Sequence, residues 1–267
     1  MPRAYKTVNI SEDQQRFIRL LDDFEIQIFN LSEIESLIGV RFPNLNIILE
    51  NLAAKKLLTR IERGKYCSSN FRNENVIGCF LAKQGTVSYW SALNLHGLTP
   101  RFPNNIFIQT AFRKKEKTLE GTTYKFIWVT PAKLTGIISE GYGNNAFRIT
   151  NLEKTLVDCF DLPEYSGGLD ELLPAFAKAN LSAEKLIEYC KAINNKAAIK
   201  RMGFIAELLD KKGMKSFVRY AKSEINNSYD LFDPLGERTG QALGTWRLRM
   251  NLTIPQIMAI CNTNPSL

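Results

Sequence analysis

The sequence predicts an α+β fold: an N-terminal winged helix-turn-helix, then a larger mixed domain with a small sheet and a C-terminal helical bundle. Three observations carry this. Residues 31–68 read as a helix, a tight turn, a second helix and a two-stranded ribbon. Residues 105–110, 123–129 and 146–150 are short strand-like runs between helical segments. From residue 150 onward the apolar residues recur at helical spacing.

The first element is a helix from Ser11 to Phe24, opened by Ser-Glu-Asp and carrying Phe17, Leu20, Leu21 and Phe24 at helical spacing. Ser32 and Glu35 have capping-box spacing ahead of Ile34, Leu37 and Ile38, and Gly39 supplies a left-handed stop. The third helix runs from about Asn44 to Lys56. Leu45, Ile48, Leu49 and Leu52 form its inward stripe, which leaves Asn44, Asn46, Ile47, Glu50, Asn51 and Lys55 outside. Asparagine can bond bidentately to adenine in the major groove. Asn46 is the better base-reading candidate, because Asn44 is equally placed to cap the helix. Residues 57–62 alternate as a strand, Arg63-Gly64 turns, and residues 65–67 return as a wing. From Arg41 to Lys65 there are six basic residues (Arg41, Lys55, Lys56, Arg60, Arg63, Lys65) against Glu50 and Glu62. A basic helix-plus-ribbon frame is the pattern expected for DNA contact, with Arg41, Asn44, Asn46, Lys55, Lys56, Arg60, Arg63 and Lys65 as the contacting set.

Residues 68–75 are polar and read as a linker, which gives domains at 1–72 and 73–222 and an extension at 223–267 packing on the second domain. In the second domain, residues 76–82 form a short helix. A further helix within 85–98 is capped by Thr86 or Ser88, carries Tyr89, Ala92, Leu93 and His96 on one face, and ends at Gly97. The run Arg113–Lys117 reads as a basic, hairpin-like loop, and Gly141–Asn144 as a turn. Thr150 and Glu153 form a second capping-box pair. The helix they open turns Leu152, Leu156, Val157 and Phe160 inward and places Lys154 and Asp158 as an outward, weakly interacting pair. Helices over 169–179, 183–193 and 197–209 follow. Gly203, in the last of these, marks a close backbone approach or a ligand. Residues 191–222 hold nine Lys or Arg against Glu207 and Asp210, so Lys200 and Arg201 are expected on a second basic surface. The Asp233–Gly236 loop and a short strand near 245–250 close the reading.

Composition excludes several function classes. At 45% apolar and 23% charged, the chain has the balance of a folded globular protein rather than a disordered one. No apolar run approaches the ~20 residues that span a bilayer, and residues 1–15 lack the apolar core of a signal peptide, so the cytoplasm is the expected location. Five widely spaced cysteines without a C-x-x-C pair suggest reduced, buried thiols and no metal ribbon. The single histidine, His96, excludes His-cluster metal sites and argues against a Ser-His-Asp hydrolase; its apolar helix suits a structural hydrogen bond. No P-D…E-x-K arrangement suggests a nuclease, so neither catalytic residues nor a cofactor are expected. A net charge of +8 suits an anionic partner.

The order of four stretches resembles the AbiEi family of antitoxins, the regulatory half of type IV toxin–antitoxin systems of phage defence. They are TVSYWSALNLHGLT (86–99), ITNLEKTLVDCF (149–160), IKRMGFIAELL (199–209) and, more weakly, TWRLRMN (245–251). The resemblance implies a non-enzymatic repressor of its own operon. Its winged helix would bind operator DNA, usually an inverted repeat, and its C-terminal domain would counter a nucleotidyltransferase-fold toxin, with or without a stable complex. The residues it carries over are Tyr89, Ala92, Leu93, His96 and Gly97; Glu153, Lys154, Thr155 and Asp158; and Arg201, Gly203 and Glu207. With Lys200 from the basic helix, Tyr89, His96, Glu153, Lys154, Asp158, Arg201 and Glu207 make up the expected antitoxin surface. Lys154 departs from the arginine expected there, and lysine lacks the fork for a bidentate contact. The alternative is a winged-helix repressor whose large domain binds a small effector.

Overall fold

The computed structural model describes residues 9–263; the ends of the first and third expected segments, 1–8 and 264–267, lie outside it. The chain divides into two units, residues up to 77 with 141–146, and residues 78–140 with 147 onward.

In the first unit, α1 (Glu12–Asp23) starts at Ser11, whose side chain accepts from the Gln14 amide while the Gln14 side chain returns to the Ser11 amide. After it come β1 (Ile28–Asn30), α2 (Ile34–Ile38), α3 (Leu45–Ala54), β2 (Leu58–Glu62) and β3 (Lys65–Ser68). The strands form an antiparallel sheet in the order β1-β3-β2. This order of helices and strands is the winged helix-turn-helix arrangement. β1 was not foreseen: three residues are too few to show alternation, and the pairing of Phe29 with Tyr66 defines the strand. The Phe17 ring meets Phe29 and Phe42 edge-on, with centroids 5.9 and 5.5 Å away, at the centre of the core. The stripe Leu45, Ile48, Leu49 and Leu52 is buried against it as its spacing requires. The expected Ser32 capping box is not formed. α2 has no side-chain cap, and Glu35 Oε1 instead accepts from the Phe42 amide at 2.7 Å. Gly39 ends α2 in the left-handed region, at φ 68°.

The second unit is built on a six-stranded mixed sheet of short strands. Its elements begin with α4 (Glu74–Leu81, which crosses the unit boundary), β4 (Thr86–Val87), α5 (Tyr89–Leu95), β5 (Asn105–Thr110), β6 (Lys117–Leu119), β7 (Thr122–Trp128), β8 (Ile137–Glu140) and β9 (Phe147–Thr150). The strand order is β6-β7-β5-β4-β9-β8. β5 runs parallel to β7, so residues 111–116 form a crossover and not a hairpin; the hairpin is β6–β7, turning at Glu120-Gly121. Five helices follow: α6 (Leu152–Asp161), α7 (Leu169–Lys178), α8 (Ala183–Ile193), α9 (Lys196–Leu208) and α10 (Lys215–Ser223). They share a core with Phe107, Ile127 and Val129 of the sheet region.

Residues 223–263 are not a separate layer. β10 (Asp230–Leu231), β11 (Gln241–Leu243) and β12 (Leu248–Met250) make a small sheet, and α11 (Ile254–Cys261) closes the chain. Phe232, Trp246, Leu248 and Ile257 sink into the main core. Gly203 is explained here: a Cβ would stand 2.6 Å from the Trp246 ring and 2.5 Å from Ala221 Cβ, so it is a close-packing glycine. The five cysteines are free thiols, four of them buried. No helix among the described residues is long and apolar enough to cross a membrane.

Candidate nucleic-acid interface

Charge is segregated along the first unit. Residues 12–35 carry seven acidic side chains and two basic ones, whereas residues 41–65 carry six basic and two acidic. The second stretch is the turn, α3 and the ribbon. Burial of the Leu45 stripe forces Asn44, Asn46, Ile47, Glu50 and Asn51 outward, and all five are exposed. Asn44 is the N-cap residue of α3, but its side chain accepts no capping hydrogen bond and stays available. Ile47 is 57% exposed, a costly place for an isoleucine in water and a suitable one for a thymine methyl.

Two contacts fix this face. Glu35 holds the turn at Phe42, which sets where α3 begins. The Leu31 amide donates to Gly64 O at 2.7 Å, tying the wing turn to the connection before α2. Leu31 also lines a concavity of about 430 Å³ with Glu35, Phe42, Asn44, Asn46 and Ile47. Leu31 therefore joins the concavity at the start of α3 to the wing turn through its bond to Gly64. Gly64 (φ 74°) makes the two-residue turn possible, and Arg60 and Arg63 on the wing are exposed.

The other expected contacts differ in availability. Arg41 and Lys56 are exposed. Lys65 is half-buried and lies 3.8 Å from Glu62. Lys55 is committed internally: its Nζ donates to Gln14 Oε1 at 2.6 Å and to Asn9 O, clamping α3 to the start of α1. The spacing that put Lys55 outside the stripe was right about its side of the helix and blind to the residues that reach it.

The expected antitoxin surface is mostly interior. Tyr89 (1% exposed), Glu153 (6%), Lys154 (0%), Asp158 (2%), Lys200 (0%) and Arg201 (7%) are all buried. The reason is helical crowding: α6 and α9 are enclosed on nearly every side, so positions off the apolar stripe are covered too. Lys154 and Asp158 form a buried ion pair, not an outward one. Desolvation pushes the Asp158 carboxyl up to about 6, with Lys154 pulling it back. Glu153 does not close a capping box. Asn151 caps α6, while Glu153 Oε1 accepts from the Ser182 amide at 3.0 Å and so joins α6 to the start of α8. Lys200 pairs with Asp230 and donates to Ser228 O at 2.9 Å and Asn226 Oδ1 at 3.1 Å. His96 is half-buried at the end of α5, its Nε2 2.8 Å from Thr150 O, a structural contact between the two strand–helix units β4–α5 and β9–α6. Glu207 is the most accessible of the eight, but it accepts from Trp246 Nε1 at 2.7 Å and from Lys222, whose hydrogen bond holds its carboxyl below the usual range.

No protein-family model matches the chain, and no curated protein does. Among solved structures, its fold is similar to that of the RV2827C protein from Mycobacterium tuberculosis, with a TM-score of 0.64 and 15% identity over 94% of this chain and 96% of that one. At that identity the similarity shows the fold alone.

Proposed function

We propose that the chain is a DNA-binding repressor of its own operon and the antitoxin of a type IV pair. The observation that carries the DNA-binding half is the outward face of α3 with an exposed Arg60–Arg63 wing, in a stretch, residues 41–65, that holds six basic residues against two acidic. Asn44, Asn46 and Ile47 would read base edges, while Arg41, Lys56, Arg60, Arg63 and Lys65 would meet phosphates. The antitoxin half rests on the resemblance of residues 86–99, 149–160, 199–209 and 245–251 to AbiEi antitoxins. Its partner is a nucleotidyltransferase-type toxin, and both roles place the protein in the cytoplasm without a cofactor or an enzymatic step of its own. Because Lys154, Asp158, Lys200 and Arg201 are interior, they support the second unit's shape and do not themselves meet the toxin.

Replacing Arg60, Arg63 and Lys65 together by alanine should weaken binding to the chain's own promoter fragment and flatten its salt dependence. Each neutralised phosphate contributes about −0.9 to the slope of log K against log salt, so three lost contacts lower the slope by roughly 2–3. A gel-shift titration across salt concentrations measures this, and an unchanged slope rejects the wing contact. Relief of toxicity on co-expression with an adjacent nucleotidyltransferase-like gene tests the second half.

A specific observation favours one alternative, a repressor with an effector-binding domain. A cavity of about 570 Å³ between α9 and the last strands is lined by Phe204, Leu243, Met250, Leu252 and Ile254, the size and character of a small-molecule pocket. Release of operator DNA by a small apolar compound, with no rescue from a toxin, would select that reading.

A further inference from the structure

Arg201 is buried to 7% exposure, yet only its Nε has a protein partner, the Leu231 carbonyl at 2.9 Å. No carboxylate among the described residues pairs with its guanidinium. Asp230 is engaged by Lys200, and Asp233 accepts from the Leu235 amide at 3.0 Å. Both aspartates act on Arg201 only at longer range, and burial drives its pKa down. A buried cation left without a close counter-charge is expensive.

The surroundings bring two more guanidinium groups to the same cavity. Arg201 lines an open cavity of about 370 Å³ with Tyr229, Asp230, Arg238 and Arg249. Among the described residues neither Arg238 nor Arg249 has a hydrogen bond or ion pair from its side chain, and both are exposed. They come from different elements. Arg249 is the outward residue of β12 between buried Leu248 and half-buried Met250, and Arg238 follows the Asp233–Gly236 turn. Asn251 fixes that turn to the end of β12: its Nδ2 donates to Asp233 O at 2.9 Å and Glu237 O at 3.0 Å, and its Oδ1 accepts from the Asp233 amide at 2.9 Å. The loop bearing Arg238 and the strand bearing Arg249 are thereby held against the mouth over Arg201. Against these three guanidinium groups the lining holds one carboxylate, Asp230, which Lys200 already engages.

We infer that Arg201, Arg238 and Arg249 form an oxyanion site that takes a phosphate group, free or as a phosphomonoester. Guanidinium forks match phosphate oxygens bidentately, and a tetrahedral dianion offers enough acceptors for three donors where a single carboxylate does not. The cavity lies within the roughly 300–1,000 Å³ range of small-molecule pockets, which leaves room for the group a phosphate is esterified to. The site lies within the second unit and is independent of the DNA-binding reading.

Calorimetric titration of the full chain with inorganic phosphate, and separately with AMP, at constant ionic strength tests this. Saturable binding of either probe is expected. Tighter binding of AMP would mark the site for an ester, and equal or weaker binding of AMP would mark it for free phosphate. Arg238→Gln and Arg249→Gln, at exposed positions, should leave the unliganded melting temperature unchanged and each weaken binding roughly ten-fold, the scale of one lost charge-assisted contact. Arg201→Gln should abolish binding. The triple replacement of Arg60, Arg63 and Lys65 should bind phosphate as the wild type does. Absence of saturable binding of both probes at millimolar concentration, or binding indifferent to Arg238→Gln and Arg249→Gln, overturns the site.

Discussion

Lys154 and Asp158 stand one helical turn apart, with side-chain exposures of 0% and 3%. On a solvated helix such a pair contributes a few tenths of a kcal/mol. In this interior its attraction competes with a large desolvation cost. Asp158 Oδ2 has no hydrogen-bond partner among the described residues, so the carboxylate is incompletely compensated. Its pKa of about 6 lies above the ordinary ~3.9 of an unfolded aspartate. The folded state therefore holds a proton that the unfolded state releases between those values. The contribution of Asp158 to stability is fully present below about 3.9 and is lost as pH rises through about 6. Urea unfolding at pH 7.5 and pH 5 should show the wild type gaining about 1 kcal/mol on acidification relative to Asp158→Asn. Parallel pH profiles for the two proteins would reject the raised pKa. Lys200 is buried as well, though its partner Asp230 is partly exposed, so an alanine there reports on folding and not on a surface contact.

At the scale of elements, the helix-turn-helix depends on how α2 hands over to α3. α2 is short and lacks a side-chain cap, and Gly39 reverses the chain after it. The one side-chain bond across the turn is Glu35 to the Phe42 amide, and Phe42 is itself a core ring against Phe17. Glu35→Ala leaves that amide without its acceptor and should cost about 1–3 kcal/mol. Because the turn orients α3, operator affinity should fall by more than the loss of stability alone produces, and Glu35→Gln, which keeps an acceptor oxygen, should restore much of both. Thermal melts with matched gel-shift titrations measure the two effects. Full operator affinity in Glu35→Ala would show that α3 is placed without this contact.

For the whole molecule, the division near residue 77 predicts separable behaviour. A cut ahead of α4 is preferable to one inside it, because Gly78 sits against Ile108 and Tyr124 of the large sheet. Residues 72–267 should fold with a cooperative melt, fail to shift promoter DNA, and retain protection against the toxin. Circular dichroism, gel shift and growth rescue read the three outcomes. Promoter binding by this fragment with the full-length salt slope would move the DNA site out of the winged helix. A cut at residue 222 is expected to fail, since Phe232, Trp246 and Leu248 would leave the core and Gly203 would face a void.

Most of the winged helix is legible locally: the Leu45–Leu52 stripe, the Gly39 stop and the Arg63-Gly64 turn each work within one or two turns of chain. Local pattern also located β5, β7 and most of the later helices, whose periodicities are long enough to read, and placed β9 ahead of the α6 cap. The short strands β1, β4 and β6 were not legible, because two or three residues show no period, and β8 exists only through its pairing with β9. Helical spacing distinguishes a greasy stripe from its opposite side, but it cannot tell whether that opposite side meets water. Tertiary packing decided that for Lys154, Lys200 and Arg201 by enclosing α6 and α9 on nearly every side. The same packing brought Arg201 beside Arg238 and Arg249, 37 and 48 positions later in the chain. Long-range burial, not local pattern, took Lys200 and Arg201 out of a basic stretch whose Lys191, Lys212, Lys215, Arg219 and Lys222 stay exposed.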